Sequence, residues 1–456
     1  MLWLDSRPLS CDNNDMSEIR NFIETLDGKP ILVYGLGKSG GGIVRALHRA
    51  GAALIVGDDN ADNLVEYEGL KNIEILDMAT QDFSALACLV LSPGIPLTHP
   101  QPHGIVRKAQ EAGLEILCDI ELFFRIHPIL KIVGVTGTNG KSTVVSLLSH
   151  TLTQAGVTNV LGGNIGTAVF DLDVEGAARP DWVVLEMSSY QIDLCPKFRP
   201  DISLVMNITP DHIDRHGTVE HYAAVKERLF EQDGVAIICS DDTYTRAMLA
   251  RAKAASKREV IEVSAHKLPQ ELGDLSKLKT LKGEHNHQNI ACVYAVASKI
   301  GLSSEEIWSG IESFPGLNHR QYLVRTINGV DYINDSKATN AASAAMALRC
   351  QDDIYWIVGG RKKETGLSGL EEFSSRIKHA FLIGECADDF SAWFEKQGMD
   401  YSICYTMENA VDQAHAMAQD NGEGAVLLSP ACASFDQYQS FEKRGDHFAK
   451  LVKELE

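Results

Sequence analysis

Eight consecutive residues, Thr136-Gly137-Thr138-Asn139-Gly140-Lys141-Ser142-Thr143, combine the groups that hold a polyphosphate. Glycines let backbone N–H groups face a phosphate with no Cβ in the way. A helix beginning at Lys141 adds the positive end of its dipole. The Lys141 ammonium can reach the outer phosphates, and the Ser142 hydroxyl can ligate Mg²⁺. The strict form of this motif wants glycine at position 135, which is valine here; Gly134 lies one place too early, so Gly137 and Gly140 are the defining glycines. A glycine-rich turn with an incidental lysine would look similar. The apolar strand before it, the helical pattern after it and Lys-Ser-Thr in place favour a nucleotide. The implied ligands are ATP and Mg²⁺.

A second turn of this kind, Gly35-Leu36-Gly37-Lys38-Ser39-Gly40, follows the run Ile31–Tyr34, and Asp58-Asp59 follows the next apolar run. Gly-x-Gly-x-x-Gly with an acid near that place is also how dinucleotide folds hold NAD. An NAD-linked oxidoreductase is therefore a rival reading, although it leaves Lys141-Ser142 unexplained.

Other polar groups gather where apolar runs end. Glu186 closes the run Trp182–Leu185; it suits either a Mg²⁺ ligand or a helix-capping acid. His212, in Asn207-Ile-Thr-Pro-Asp211-His212-Ile-Asp214-Arg215-His216, suits a metal or substrate ligand, or a loop histidine capping a helix. Asp211, Asp214 and His216 read as surface and capping residues. Lys226, in the helical stretch Tyr222–Phe230, reads as an exposed lysine near Glu227 and Glu231. Further along, Asn334–Asn340, Arg361-Lys362-Lys363 and Ser429–Gln437 bring bases and hydroxyls to several strand ends, as a site for a small dianion would.

These groups need strand ends to carry them. Ile31–Tyr34, Leu54–Val56 and Cys88–Leu91 are uniformly apolar, as buried parallel strands are. The same alternation of strand and helix restarts at Lys131–Val135 and again at Ile354–Val358. The fold class is α/β in three domains: an N-terminal Rossmann-like domain over 1–127, a central P-loop ATPase-like domain with a mostly parallel sheet over 128–317, and a C-terminal Rossmann-like domain over 318–456. The length of 456 residues exceeds what one core sustains.

A formal net charge of −20 withholds general electrostatic help from any nucleic acid or anionic membrane, so neither is expected as a partner. The 10 cysteines include no Cys-x-x-Cys pair and read as reduced core residues of a cytoplasmic protein. No signal-like start and no apolar stretch approaching the ~20 residues of a membrane helix is expected to leave the chain soluble.

In order, Gly35–Gly40, Ser92-Pro-Gly94-Ile95, the phosphate loop, Gly163-Asn164-Ile-Gly166, Glu186-Met-Ser-Ser189, Asp211-His212, Lys226, Gly283–Asn289, His319-Arg320, Asp335–Asn340 and Ser429-Pro-Ala-Cys-Ala-Ser434 resemble the Mur ligase family over nearly the whole chain. Most central motifs are shared with folylpolyglutamate synthetases. The N-terminal turn with Ser92–Ile95, and Ser429–Gln437, resemble the D-glutamate-adding branch. The resemblance implies a monomeric ligase whose substrates are UDP-N-acetylmuramoyl-L-alanine, D-glutamate and ATP, with two Mg²⁺ ions. It implies that Lys38, Ser39, Asp58, Asp59 and Gly94 hold the uridine end, with Asn164 and Ser189 along the pyrophosphate and sugar. Lys141 would contact ATP phosphates. Ser142 and Glu186 would hold one Mg²⁺, and His212 with a carbamylated Lys226 the second. Asn289, Arg320 and Asp335 would serve the nucleotide. Thr339, Lys363, Ser434 and the backbone at Phe441 would bind the two D-glutamate carboxylates. Relatives often have a smaller glycine-containing turn at Arg361–Glu364, which leaves Lys362 or Lys363 as the equivalent lysine.

Overall fold

The computed structural model describes residues 16–456 apart from 232, 256, 279, 282, 284 and 363–365, and apart from the side chain of His285. Lys363 therefore lies outside the described residues. The strands are short and their sequences apolar, so they form only where both faces are covered. β1 (Ile31–Tyr34), β2 (Leu54–Gly57) and β4 (Cys88–Leu91) are buried at every residue. With β3 (Ile73–Ile75) and β5 (Ile116–Leu117) they make an all-parallel sheet in the order β3-β2-β1-β4-β5.

A second sheet, also parallel throughout, has the order β11-β10-β9-β6-β8-β7. Its strands are β6 (Ile132–Thr136), β7 (Asn159–Gly163), β8 (Trp182–Glu186), β9 (Ile202–Val205), β10 (Val235–Cys239) and β11 (Glu259–Val263). β6 sits between β8 and β9, so the loops after all three strands leave one edge side by side. Ligands of open parallel sheets bind at that edge.

The third sheet has the order β12-β13-β17-β14-β15-β16. It comprises β12 (Tyr322–Ile327), β13 (Val330–Asn334), β14 (Ile354–Gly359), β15 (Ile377–Ile383), β16 (Tyr401–Tyr405) and β17 (Ala425–Leu428). Only the β12–β13 hairpin at its edge is antiparallel. Successive residues of β14 serve opposite faces: Trp356 and Val358 pack on one side, Tyr355 and Ile357 on the other.

The chain folds as two compact units. One contains the described residues up to Leu272 together with His287–Ile311, and the other Gly273–Asn286 with Glu312–Glu456. The first two sheets share the first unit because one apolar cluster runs through both, including Ile120, Phe123 and Ile126 of the helix Asp119–Ile126 with Val169, Phe170 and Ile192. Among the described residues, no helix is long and apolar enough to cross a membrane.

Candidate active site

The phosphate loop leaves β6 at Thr136 and enters the helix Lys141–Gln154. Gly140 caps that helix with φ +82°, and a Cβ there would lie 2.4 Å from Asn289 Oδ1. Only glycine meets both demands. Asn289 is thus packed against the loop. The segment after β9 grips the loop from the other side. The Thr138 and Asn139 N–H groups donate to the carbonyl O and Oδ1 of Asn207, both at 2.8 Å. Asn207 Nδ2 donates to Gln288 Oε1 at 2.6 Å, and Gln288 Nε2 to Asp241 Oδ2 at 2.7 Å. Lys141 Nζ donates to the Gly137 and Thr138 carbonyls at 2.9 and 2.8 Å. Ser142 and Thr143 follow in the first helical turn, half-buried.

Lys226 overturns its local reading as an exposed lysine. It is 1% exposed. Its Nζ donates to Thr136 Oγ1 at 2.9 Å and to Gly137 O at 3.0 Å, and lies 4.8 Å from the centroid of the Tyr222 ring. The helix Val219–Glu227 buries Tyr222, Ala223, Val225 and Lys226. Glu227, which seemed a natural partner for this lysine, instead pairs with Arg251. Burial, and then the Lys141 charge, hold the Lys226 ammonium well below the usual lysine range, while Asp211 and Glu186 pull it back up. The same field therefore joins Lys141, Lys226, Asp211 and Glu186.

Glu186 is buried, and it is not a helix cap. Ser188 caps the helix Ser189–Asp193 reciprocally with Gln191. Glu186 Oε1 accepts from Asn164 Nδ2 at 2.8 Å, while its Oε2 is buried with no hydrogen-bond partner. An anionic oxygen left without a donor in the interior fits a hard cation. Among the described residues, no group of three or more His, Cys, Asp and Glu could hold a metal by itself.

His212 sits at the N-cap of the helix Ile213–His216 with φ +53°, but its side chain makes no capping bond. Its Nε2 lies 3.4 Å from Asp211 Oδ2, and its ring 5.0 Å from Tyr190. His216, expected at the surface, is 3% exposed and shares a 2.9 Å hydrogen bond with Ser189 Oγ. Burial, and then the neighbouring His221, Lys226, His212 and Arg215, lower its pKa to about 4, so it is neutral. The reading failed because Tyr190 stacks on the ring from a helix distant in sequence. Ser189 is consequently buried rather than open.

The first sheet's strand ends carry the other turn. Leu36 N–H donates to Asp58 Oδ2 at 2.5 Å, and the Tyr34 hydroxyl to Asp59 Oδ1 at 2.7 Å. Lys38 Nζ donates to the Gly166 carbonyl, beside Asn164. Ser39 lies by the fully buried Asp119, whose carboxyl burial pushes upward. Gly94 O accepts from Arg215 at 2.8 Å.

In the second unit, parallel neighbours β13 and β17 release Asp335–Thr339 and Ser429–Ser434 from the same edge. Asp335 is buried, accepting from Ser429 Oγ at 2.8 Å and from Gln321 N–H at 3.1 Å; burial raises its pKa to about 7. Arg320 is exposed, and its charge opposes that rise. Ser336 Oγ donates to Phe441 O at 2.8 Å and accepts from Arg444 Nε at 3.0 Å. Ser434 is buried; Thr339 and Phe441 are half-buried. Phe441 opens a 14-residue helix, so its N–H has no partner within the helix. Lys362 pairs with Asp389. Sequence reasoning missed the clamp formed by Gln288 and Asp241, and it also missed Arg215 and Arg444. Gln288 and Arg215 lie within segments the sequence marks, but no local pattern shows what they bind.

A phosphate loop on a parallel sheet, with a buried carboxylate and lysine beside it, defines an α/β enzyme of nucleotide-dependent group transfer. A family model described as Mur ligase middle domain matches residues 135–297. The UDP-N-acetylmuramoylalanine–D-glutamate ligase of Agrobacterium fabrum is 43% identical over 95% of this chain and 97% of its own. The protein of the same name from Rhizobium meliloti is 42% identical over 95% and 98%. The solved UDP-N-acetylmuramate-alanine ligase of Thermotoga maritima aligns with a TM-score of 0.53 at 13% identity, over 93% of this chain and 99% of that one, a likeness of fold. The chain belongs to the Mur ligase family, in its branch of UDP-N-acetylmuramoylalanine–D-glutamate ligases. It is an ATP-dependent ligase.

Proposed function

We propose that the chain joins D-glutamate to UDP-N-acetylmuramoyl-L-alanine in peptidoglycan precursor synthesis, through an acyl phosphate. The observation that carries the chemistry is the unengaged Glu186 oxygen and the buried Lys226 amine beside one phosphate loop. An oxygen of the terminal L-alanine carboxylate attacks the γ-phosphorus of ATP, and the bond from that phosphorus to the bridging oxygen breaks, releasing ADP. The neutral D-glutamate amine then attacks the acyl carbon. The carbon–oxygen bond to phosphate breaks, inorganic phosphate leaves and the nitrogen loses a proton.

Two Mg²⁺ ions would neutralise the charge that builds up between carboxylate and triphosphate. Lys141 meets the outer phosphates. Ser142 and Glu186 hold one ion, and His212 and Lys226 the other. Lys226 serves as a carbamate: its neutral amine nitrogen bonds to the carbon of CO₂ and one proton leaves, turning the amine into an anionic, carboxylate-like ligand. Burial supports this by favouring the neutral amine that reacts. Bicarbonate is expected to restore activity to CO₂-depleted protein; no restoration would remove the carbamate.

Lys38, Ser39, Asp58, Asp59 and Gly94 face the uridine end in this reading, with Asn164 and Ser189 along the pyrophosphate and sugar. Asn289, Arg320 and Asp335 serve the nucleotide. Thr339, Lys363, Ser434 and the Phe441 N–H take the D-glutamate carboxylates, the last as a helix N-terminal amide. Residues 1–127, 128–317 and 318–456 thus divide into UDP-substrate, ATP and amino-acid domains of a cytoplasmic monomer. Size-exclusion chromatography checks the monomer. The activity is checked by phosphate release across a panel of amino acids. Release is expected only with UDP-N-acetylmuramoyl-L-alanine and D-glutamate together, and release with another amino acid but not D-glutamate overturns the specificity.

A further inference from the structure

Arg215 is used by none of the steps above, yet it spans two parts of the first unit. Its Nη1 donates to Gly94 O at 2.8 Å, and its Nη2 donates to Ile95 O at 3.0 Å and Pro93 O at 3.3 Å. Its guanidinium also lies 4.5 Å from the centroid of the Tyr190 ring. Three successive carbonyls of one loop therefore converge on one cation. Tyr190 in turn packs against His212 and His216. The gripped loop, Ser92–Ile95, is continuous with the first sheet's glycine turn: a Cβ on Gly35 would lie 2.5 Å from Ser92 Cβ and 2.9 Å from Ile95 Cδ1. The chain just after the loop also approaches the His212 segment, since a Cβ on Gly217 would lie 3.0 Å from the His99 ring.

We propose that Arg215 is a positioning residue: it locks the Ser92–Ile95 loop to the segment bearing His212, and so holds the UDP end of the substrate in register with its reacting carboxylate. This rests on the reading that Gly94 lies at the uridine end. A planar fork of five N–H donors can serve three acceptors while its face stacks on tyrosine; a lysine ammonium offers one nitrogen and no such face. Without the fork, the loop is free to shift in the unliganded protein, and binding must then order it.

The test measures binding of UDP-N-acetylmuramoyl-L-alanine by calorimetry without ATP, and KM for all three substrates, in wild type, Arg215→Met and Arg215→Lys. Arg215→Met is expected to weaken UDP-substrate binding and raise its KM about tenfold or more, because charged hydrogen bonds are lost. KM for ATP is expected to stay within about twofold, since the phosphate loop is gripped by other residues. Arg215→Lys keeps the charge and is expected to fall between, at about threefold. A residue that merely stabilised the fold would lower the melting midpoint and leave KM unchanged. Unchanged binding in folded Arg215→Met, or an equal rise in all three KM values, overturns the proposal. Should Arg215→Met not fold, wild-type binding by Arg215→Lys overturns it equally. If the wild-type chain itself does not bind the UDP-substrate, the functional reading fails along with the proposal.

Discussion

The strand ends of the second and third sheets both carry buried polar groups, but they use them differently. In the third sheet the carboxylate and hydroxyl groups are met by the protein itself, although Arg444 Nη1 is buried with no partner. Asp335 accepts from Ser429 and from a backbone amide, and Ser336 joins Phe441 to Arg444. In the second sheet, Glu186 keeps one buried oxygen without a donor, and Lys226 has only neutral oxygens as hydrogen-bond acceptors. An unmet buried charge costs folding free energy, so its retention marks a place built for something outside the chain. A met one marks a frame.

If this contrast is right, substitutions of Lys141, Lys226 and Glu186 remove activity and spare the fold, while breaking the bond between Asp335 and Ser429 also costs stability. Lys141→Ala is expected to give the largest effect, cutting phosphate release by about 10³-fold or more with the melting midpoint nearly unchanged. Lys226→Met is expected to cost at least about 10²-fold in turnover without lowering the midpoint, since an apolar side chain needs no desolvation of charge. A clear fall in the midpoint would instead make Lys226 a structural lysine. Glu186→Gln keeps an acceptor for Asn164 but loses the charge. It is expected to lower turnover by about 10²-fold and to raise the Mg²⁺ concentration needed for half-maximal rate.

The third sheet offers the smaller effects. Ser429→Ala leaves Asp335 Oδ2 without its donor and is expected to cost about 1–3 kcal/mol in chemical denaturation. Asp335 itself gives a pH signature. Its folded pKa is raised from 3.8 to about 7, so between those values the folded state holds a proton that the unfolded chain releases. Its contribution to stability is therefore present at low pH and falls as pH rises from about 4 to about 7. Asp335→Asn removes that term. Denaturation at pH 4.5 and 7.5 is expected to show wild type losing more stability than the variant over that interval, by on the order of a few kcal/mol. Equal losses would mean that Asp335 is ionised throughout.

Much of the fold was legible in sequence. Runs such as Ile31–Tyr34 and Ile202–Val205 are apolar at nearly every position, which only a strand covered on both faces tolerates, and they became parallel strands. Short or edge strands such as Ile73–Ile75 and Glu259–Val263 were not legible, because partial exposure lets polar residues in. The phosphate loop was legible because its chemistry lies within eight neighbouring residues.

The sequence by itself determined the class: an ATP-using α/β protein with its loop after a buried strand, and a family resemblance carried by ordered motifs. Tertiary structure alone decided which polar residues lie inside. Lys226 meets Thr136 from 90 positions away, and Arg215 reaches Gly94 across 121. His216 left the surface because Tyr190 and Ser189 close over it. Burial, and the charge state that follows from it, depend on neighbours brought in by folding, and no local window of sequence contains them.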